Sequence, residues 1–173
     1  MPPKLDLSDI RILTILQRDA RLTVAELAER VGLSASPTWR RVKRLEESGL
    51  IAGYRVTLDR RALGWGVLAF VHVTIEDHGD AQARAFEAAV ALRPEIVACW
   101  SVAGSTDFLL QVVARDLDAY AALAETAIRR LPGIRAMHTM FTLKEVKPPA
   151  PWPIPRPPLA GGKPATRQNG RPT

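Results

Sequence analysis

Four cations, Arg40, Arg41, Lys43 and Arg44, stand within five residues, with the hydroxyls of Ser34, Ser36 and Thr38 just ahead of them. Guanidinium and ammonium groups at that density suit a polyanion, and short hydroxyl side chains near a helix start add donors for phosphate. A second group, Gly104-Ser105-Thr106-Asp107, offers two hydroxyls and a carboxylate behind a glycine. Backbone can approach a small molecule closely there, and the carboxylate suits an ammonium group. A hairpin turn with ordinary polar residues has the same composition, and on these residues alone that plainer reading is preferred. His72, His78 and His138 have no neighbour at ligand spacing, and Cys99 is the only cysteine. No metal, cofactor or disulfide is therefore expected. G-x-S-x-G, P-loop and G-x-G-x-x-G patterns are missing, so the chain is expected not to be an enzyme.

The cations need a helix to aim them. Ser8 is positioned to cap a first helix carrying Ile12, Leu13 and Leu16 on one face. Thr23-Val24-Ala25-Glu26 reads as a capping box, and Leu27, Ala28 and Val31 form the apolar stripe of a second helix. Gly32 stops it, and Ser34 opens a third helix two residues later, with Pro37 tolerated in the first turn. Val42 and Leu45 face the core with Thr38 one turn earlier, which leaves Ser36, Arg40, Lys43 and Glu47 on the exposed side. Gly49 closes the third helix and Tyr54–Leu58 follows as an extended strand. Three short helices with a tight corner and a trailing strand make a winged helix-turn-helix. A helix about 10–12 Å across fits a major groove about 12 Å wide. Arg41 could equally pair with Glu26, Glu29 or Glu46, so a structural role is expected for it, whereas Arg40 and Lys43 are expected at phosphates or bases. Trp39 can stack on a sugar or prop the wing, and packing is the expected role.

From residue 65 the periodicity changes to two. Val67 to Ile75 reads as a strand, Ala83, Phe86 and Val90 mark a helix ended by Pro94, and Ile96–Val102 and Phe108–Val113 form a hairpin. Asp116 caps a helix bearing Tyr120, Leu123, Ala127 and Leu131, and Pro132-Gly133 leads into a last strand ending near Val146. The order β-α-β-β-α-β predicts a ferredoxin-like sandwich with both helices on one sheet face. Its other face needs cover, which predicts a homodimer.

Charge divides the 173 residues in the same way. Residues 1–60 carry net +3, residues 61–147 net −1 and residues 148–173 net +4, within an overall +6. Basic ends around a near-neutral middle favour a nucleic-acid partner. Nine of the 14 prolines fall between Pro148 and Pro172, so residues 148–173 are expected to be a disordered, extended appendage. Its Pro-x-Pro spacing could dock on an aromatic groove, but a solvated terminus is the preferred reading. The predicted fold class is thus α+β: a winged helix-turn-helix over 1–60 with a linker strand to about 64, a ferredoxin-like βαββαβ sandwich over 65–147, and this tail. Val67–Ile75, the longest apolar stretch, is too short to span a membrane. Met1-Pro2-Pro3-Lys4 carries no export signal, so a cytoplasmic location is expected.

Several motifs in order resemble one family. Leu5-Asp6…Asp9…Ile12-Leu13…Leu16, Gly32-Leu33-Ser34, Arg41-Val42…Arg44-Leu45-Glu46 and Gly49-Leu50-Ile51…Gly53-Tyr54 are similar to the Lrp/AsnC transcription regulators. Gly104…Asp107-Phe108-Leu109-Leu110, Leu131-Pro132-Gly133-Ile134 and Lys144-Glu145-Val146-Lys147 extend the likeness over residues 4–147. The resemblance implies a dimer joined through the sandwiches, assembly toward octamers or filaments, and an amino acid or related effector of unknown identity bound between dimers. It places the effector loop on Gly104, Ser105, Thr106 and Asp107, with Leu117, Met140 and Phe141 at further response positions. Ser105 and Thr106 depart from the acidic or aromatic residues common in that loop.

The expected function is sequence-specific binding of double-stranded DNA by an effector-responsive transcription regulator. A second reading is an architectural protein that coats DNA with little sequence preference, helped by the cationic tail. A third is an enzyme, since some tetrapyrrole decarboxylases resemble this two-domain architecture. The net −1 of the middle domain and its separated histidines argue against a polycarboxylate substrate.

Overall fold

The computed structural model describes residues 4–76 and 79–155. It divides into two compact units, one comprising the chain up to Val56 and from Lys147 on, the other Thr57–Val146.

The first unit is a three-helix headpiece: α1 (Leu7–Leu16), α2 (Val24–Val31) and α3 (Ala35–Glu47). Asp6, not Ser8, caps α1. Its side chain accepts from the Asp9 N–H while the Asp9 side chain accepts from the Asp6 N–H, a reciprocal box that leaves Ser8 inside the first turn. The box expected at α2 is present, with the Thr23 N–H 2.7 Å from the Glu26 carboxylate. Gly32 adopts the left-handed conformation (φ 73°) that ends α2, and α3 starts three residues later. Ile12, Leu13, Leu27, Val31 and Leu45 meet in the core. The stretch after α3 that the sequence suggested as a trailing strand joins no sheet among the described residues. Tyr54 in that stretch donates to Glu46 at 2.7 Å, fastening it back to α3.

The start of the tail differs from the free appendage expected. The Gln17 side chain grips the Trp152 backbone twice, accepting from its N–H at 2.6 Å and donating to its carbonyl at 3.2 Å, and Ile154 packs against the headpiece core. A polar side chain that satisfies both backbone groups of one residue substitutes for a strand partner. Residues 156–173, with Arg156, Lys163, Arg167 and Arg171, lie outside the described residues.

The second unit runs β1 (Val67–Ile75), α4 (Asp80–Ala91), β2 (Ile96–Ser101), β3 (Phe108–Ala114), α5 (Leu117–Thr126), a 3-10 turn (Ile128–Arg130) and β4 (Ile134–Phe141). The strands form an antiparallel sheet in the order β2-β3-β1-β4. β4 ends at Phe141, earlier than the Val146 expected. Alternate residues Ala69, Val71, Val73 and Ile75 bury one face of β1 beneath α4 and α5. Phe86 of α4 meets Phe108 there, ring centroids 4.4 Å apart, and Asp116 caps α5 as its position suggested. The opposite, helix-free face presents Leu68, Phe70, Leu109, Trp100 and Met140, with Trp100 and Met140 exposed.

Candidate nucleic-acid interface and effector loop

The two sides of α3 do different work. On the inner side, Thr38 is fully buried and its hydroxyl donates to the Ser34 carbonyl at 2.9 Å. Expected as a DNA contact, Thr38 is a core residue that closes the first turn. Arg41 does not pair with Glu26, Glu29 or Glu46. It reaches across to Asp6 (2.6 Å) and Asp9 (2.8 Å) of α1, and Arg44 joins Asp9 at 2.6 Å. Asp9 has a side chain only 1% exposed, so two guanidinium groups compensate one buried carboxylate. Burial works to raise the Asp6 carboxyl, but the Asp9 backbone N–H and then Arg41 outweigh it and hold that carboxyl below its ordinary value. The same bonds from Asp6 and Asp9 raise Arg41. This network ties α1 to α3.

The outer side carries Ser36, Arg40, Lys43 and Glu47. Among the described residues Arg40 makes no ion pair. Lys43 makes a long contact to Glu47 (3.7 Å), and its ammonium lies 5.2 Å from the centre of the Trp39 ring. Trp39, expected to pack, is 50% exposed. With Lys43, Leu22, Val24 and Tyr54 it borders an open groove of 490 Å³. Burial, then the Glu46 hydrogen bond, push the Tyr54 phenol up to about 12. Ser34 precedes α3 as its N-cap without making a side-chain cap bond, and the Arg44 side chain is 57% exposed despite its contact to Asp9. The backbone N–H groups of that first turn, with Arg40, Lys43 and the solvent side of Arg44, form one cationic surface.

In the second unit, Gly104 (φ 143°) turns the chain between β2 and β3, in a conformation side-chain-bearing residues rarely adopt. Asp107 is drawn into the fold: its N–H donates to Val73, its carbonyl accepts from Val102, and its carboxylate accepts from the Ile75 N–H, all at 2.9 Å. Thr106 meets the His72 ring at 3.4 Å, a contact that sequence spacing did not suggest. Ser105 lies in the same loop. Leu117, exposed, follows the opposite end of β3. Met140 is on the helix-free face of β4, whereas Phe141 points the other way and meets Tyr120 edge-on at 4.9 Å. Within one chain these residues therefore do not converge. Burial, then the charge of Glu87, push the Cys99 thiol up, away from the thiolate that metal binding or nucleophilic attack requires. Among the described residues no group of three His, Cys, Asp or Glu is placed to hold a metal ion, and no helix is long and apolar enough to cross a membrane. His78 lies outside the described residues.

Comparison with known proteins matches residues 5–52 to a winged helix-turn-helix DNA-binding family and residues 68–152 to the Lrp/AsnC ligand binding domain. The chain is 42% identical to a leucine-responsive regulatory protein of Rhizobium meliloti, covering 83% of this chain and 92% of that one. It is 40% identical to the Bkd operon transcriptional regulator of Pseudomonas aeruginosa, covering 83% and 94%. Among solved structures, a Neisseria meningitidis transcriptional regulator in complex with L-Met superposes with a TM-score of 0.82 at 36% identity, over 87% of this chain and 97% of that one.

Proposed function

The chain belongs to the Lrp/AsnC family of transcription regulators, and from that premise we propose how its own residues carry out the task. It is a DNA-binding regulator with an effector-responsive ligand-binding domain. In our reading α3 enters the major groove of double-stranded DNA. Ser34, Ser36, Arg40, Lys43 and the exposed side of Arg44 contact DNA, while Arg41 and Thr38 hold the helix in place. The observation that carries this reading is the division of the α3 cations: Arg41 is committed to Asp6 and Asp9, while Arg40 faces outward with no ion-pair partner among the described residues.

The effector is an amino acid or a small relative of one, a reading supported by the L-Met bound to the Neisseria regulator. Because Gly104–Asp107, Leu117 and Met140 are spread over the second unit, the effector site is assembled from more than one copy. A homodimer closes the helix-free sheet face, and dimers associate further around the loops. The protein acts by binding rather than catalysis, in the cytoplasm. An effector moves assembly only by as much as it prefers one state over the other.

The test is a fluorescence-polarisation titration on the DNA upstream of its own gene at several salt concentrations. The expected log–log slope is about −0.9 per phosphate neutralised. Arg40→Ala and Lys43→Ala should each weaken binding roughly tenfold without changing the unfolding midpoint. Normal binding by both variants would mean that another surface meets DNA. Equal affinity for random duplex would turn the reading toward coating.

A further inference from the structure

On a helix with 3.6 residues per turn, Trp39, Lys43, Ser36, Glu47 and Arg40 fall within an arc of roughly 100°. Trp39 lies on the groove-facing edge of α3, not at its core. A single exposed apolar side chain is ordinary on a protein surface. Two features set Trp39 apart. It occupies the same strip as the outward cations, and its ring is held against one of them, with the Lys43 ammonium 5.2 Å from the ring centre. That contact restrains two long side chains together and leaves half of the indole in water. Polar groups on this strip can read hydrogen-bonding edges or phosphates, whereas the exposed half of the indole offers apolar surface to whatever α3 meets. The major groove displays one apolar group, the 5-methyl of thymine.

We propose that Trp39 is a specificity-determining residue that packs against a thymine 5-methyl group in the major groove, with Lys43 held beside it to reach a neighbouring acceptor. The inference rests on the reading that α3 enters that groove. Contact with the methyl group removes both apolar surfaces from water, which favours thymine over cytosine or uracil at that step. Lys43, restrained by the ring, loses less freedom when it meets a base or phosphate oxygen.

The experiment uses the full chain and a duplex selected by it from a random pool. A second duplex of the same sequence carries uracil in place of every thymine, removing only the methyl groups. Wild type should bind the uracil duplex weaker by about fourfold per methyl contact, the factor expected for one buried methylene. Trp39→Ala should bind the thymine duplex weaker and lose nothing more on uracil, and Trp39→Phe should recover part of the discrimination. Trp39→Ala removes the buried half of the indole and should lower the unfolding midpoint, so all three proteins are compared at a temperature where each is fully folded. A residue that merely props the headpiece would affect both duplexes alike, so equal loss on uracil by wild type and Trp39→Ala overturns the proposal while leaving DNA binding by α3 intact. If Arg40→Ala and Lys43→Ala bind the selected duplex like wild type, α3 is not the reading helix and both inferences fall.

Discussion

The headpiece and the sandwich hold their candidate residues in opposite ways. In the headpiece, Ser36, Arg40 and Lys43 share one side of a single helix, and the other side is fastened by Asp6, Asp9 and Arg41. In the sandwich, Gly104–Asp107 precede β3 and Leu117 follows it, so the seven residues of that strand place roughly 20 Å between them. Met140 and Phe141 then lie on opposite faces of β4. The first arrangement lies within one chain. In the proposed reading, the second becomes a site only between copies.

The strongest way to break that contrast is to stop the copies meeting. An Asp at position 70 puts a carboxylate in the middle of the helix-free face, beside Met140 and Gln111. Desolvating that charge in the proposed interface costs several kcal/mol, which opposes dimerisation through this face. Phe70→Asp should be a folded monomer in sedimentation velocity, with amino-acid response abolished and the headpiece melt unchanged. A Phe70→Asp protein that stays dimeric and responds to an amino acid would show that the sandwich is as self-contained as the headpiece.

The next prediction sharpens the headpiece side. Asp9→Ala removes the buried carboxylate shared by Arg41 and Arg44 and one half of the α1 capping box. Both guanidinium groups retain some access to water, so the loss is smaller than for a wholly buried pair, about 2 kcal/mol. Calorimetry should show the headpiece melting earlier and the sandwich melting where it did. A joint shift of both would mean that the two units unfold as one.

What the sequence revealed follows the same division. Local rules found the α2 box, the Gly32 corner, the Asp116 cap and the β2–β3 hairpin, because each depends on neighbours a few residues apart. They failed where partners were distant and where two local rules competed for one position. Arg41 had three plausible glutamates nearby, and the fold chose two aspartates 35 and 32 residues away. Ser8 looked like a cap, but Asp6 and Asp9 satisfy each other's N–H and displace it. Thr38 carried the right hydroxyl for DNA, yet the period that buries Leu45 buries it too. The bonding of Gln17, just after α1, to Trp152 spans 135 residues, and a proline-rich composition gives no sign of it or of Ile154 on the headpiece core.

That strap gives a smaller test of how complete the headpiece is. Ile154 is half-buried, so Ile154→Ala should cost about 1 kcal/mol, below the range for a fully buried site. Gln17→Ala, which removes both bonds to Trp152, should cost about as much. Both should lower the headpiece melt and leave the sandwich melt alone. A change in the sandwich instead would assign the strap to the wrong unit.

The smallest effect concerns charge rather than packing. The Asp6 carboxyl is held below its ordinary value, so its ionised form stabilises the folded headpiece. That contribution is complete above the ordinary carboxylate value of about 3.9 and is lost as pH falls through the lower folded value. Arg41 stays charged throughout this range, so the change belongs to the carboxylate. With the Asp6 side chain 52% exposed, solvent screening limits the contribution to a few tenths of a kcal/mol. Asp6→Asn should therefore melt slightly below wild type at pH 6, and the gap should close toward pH 2.5. No gap at pH 6 would mean that Asp6 acts through its capping hydrogen bond alone, which Asn preserves, and the link from α1 to α3 would then rest on Asp9.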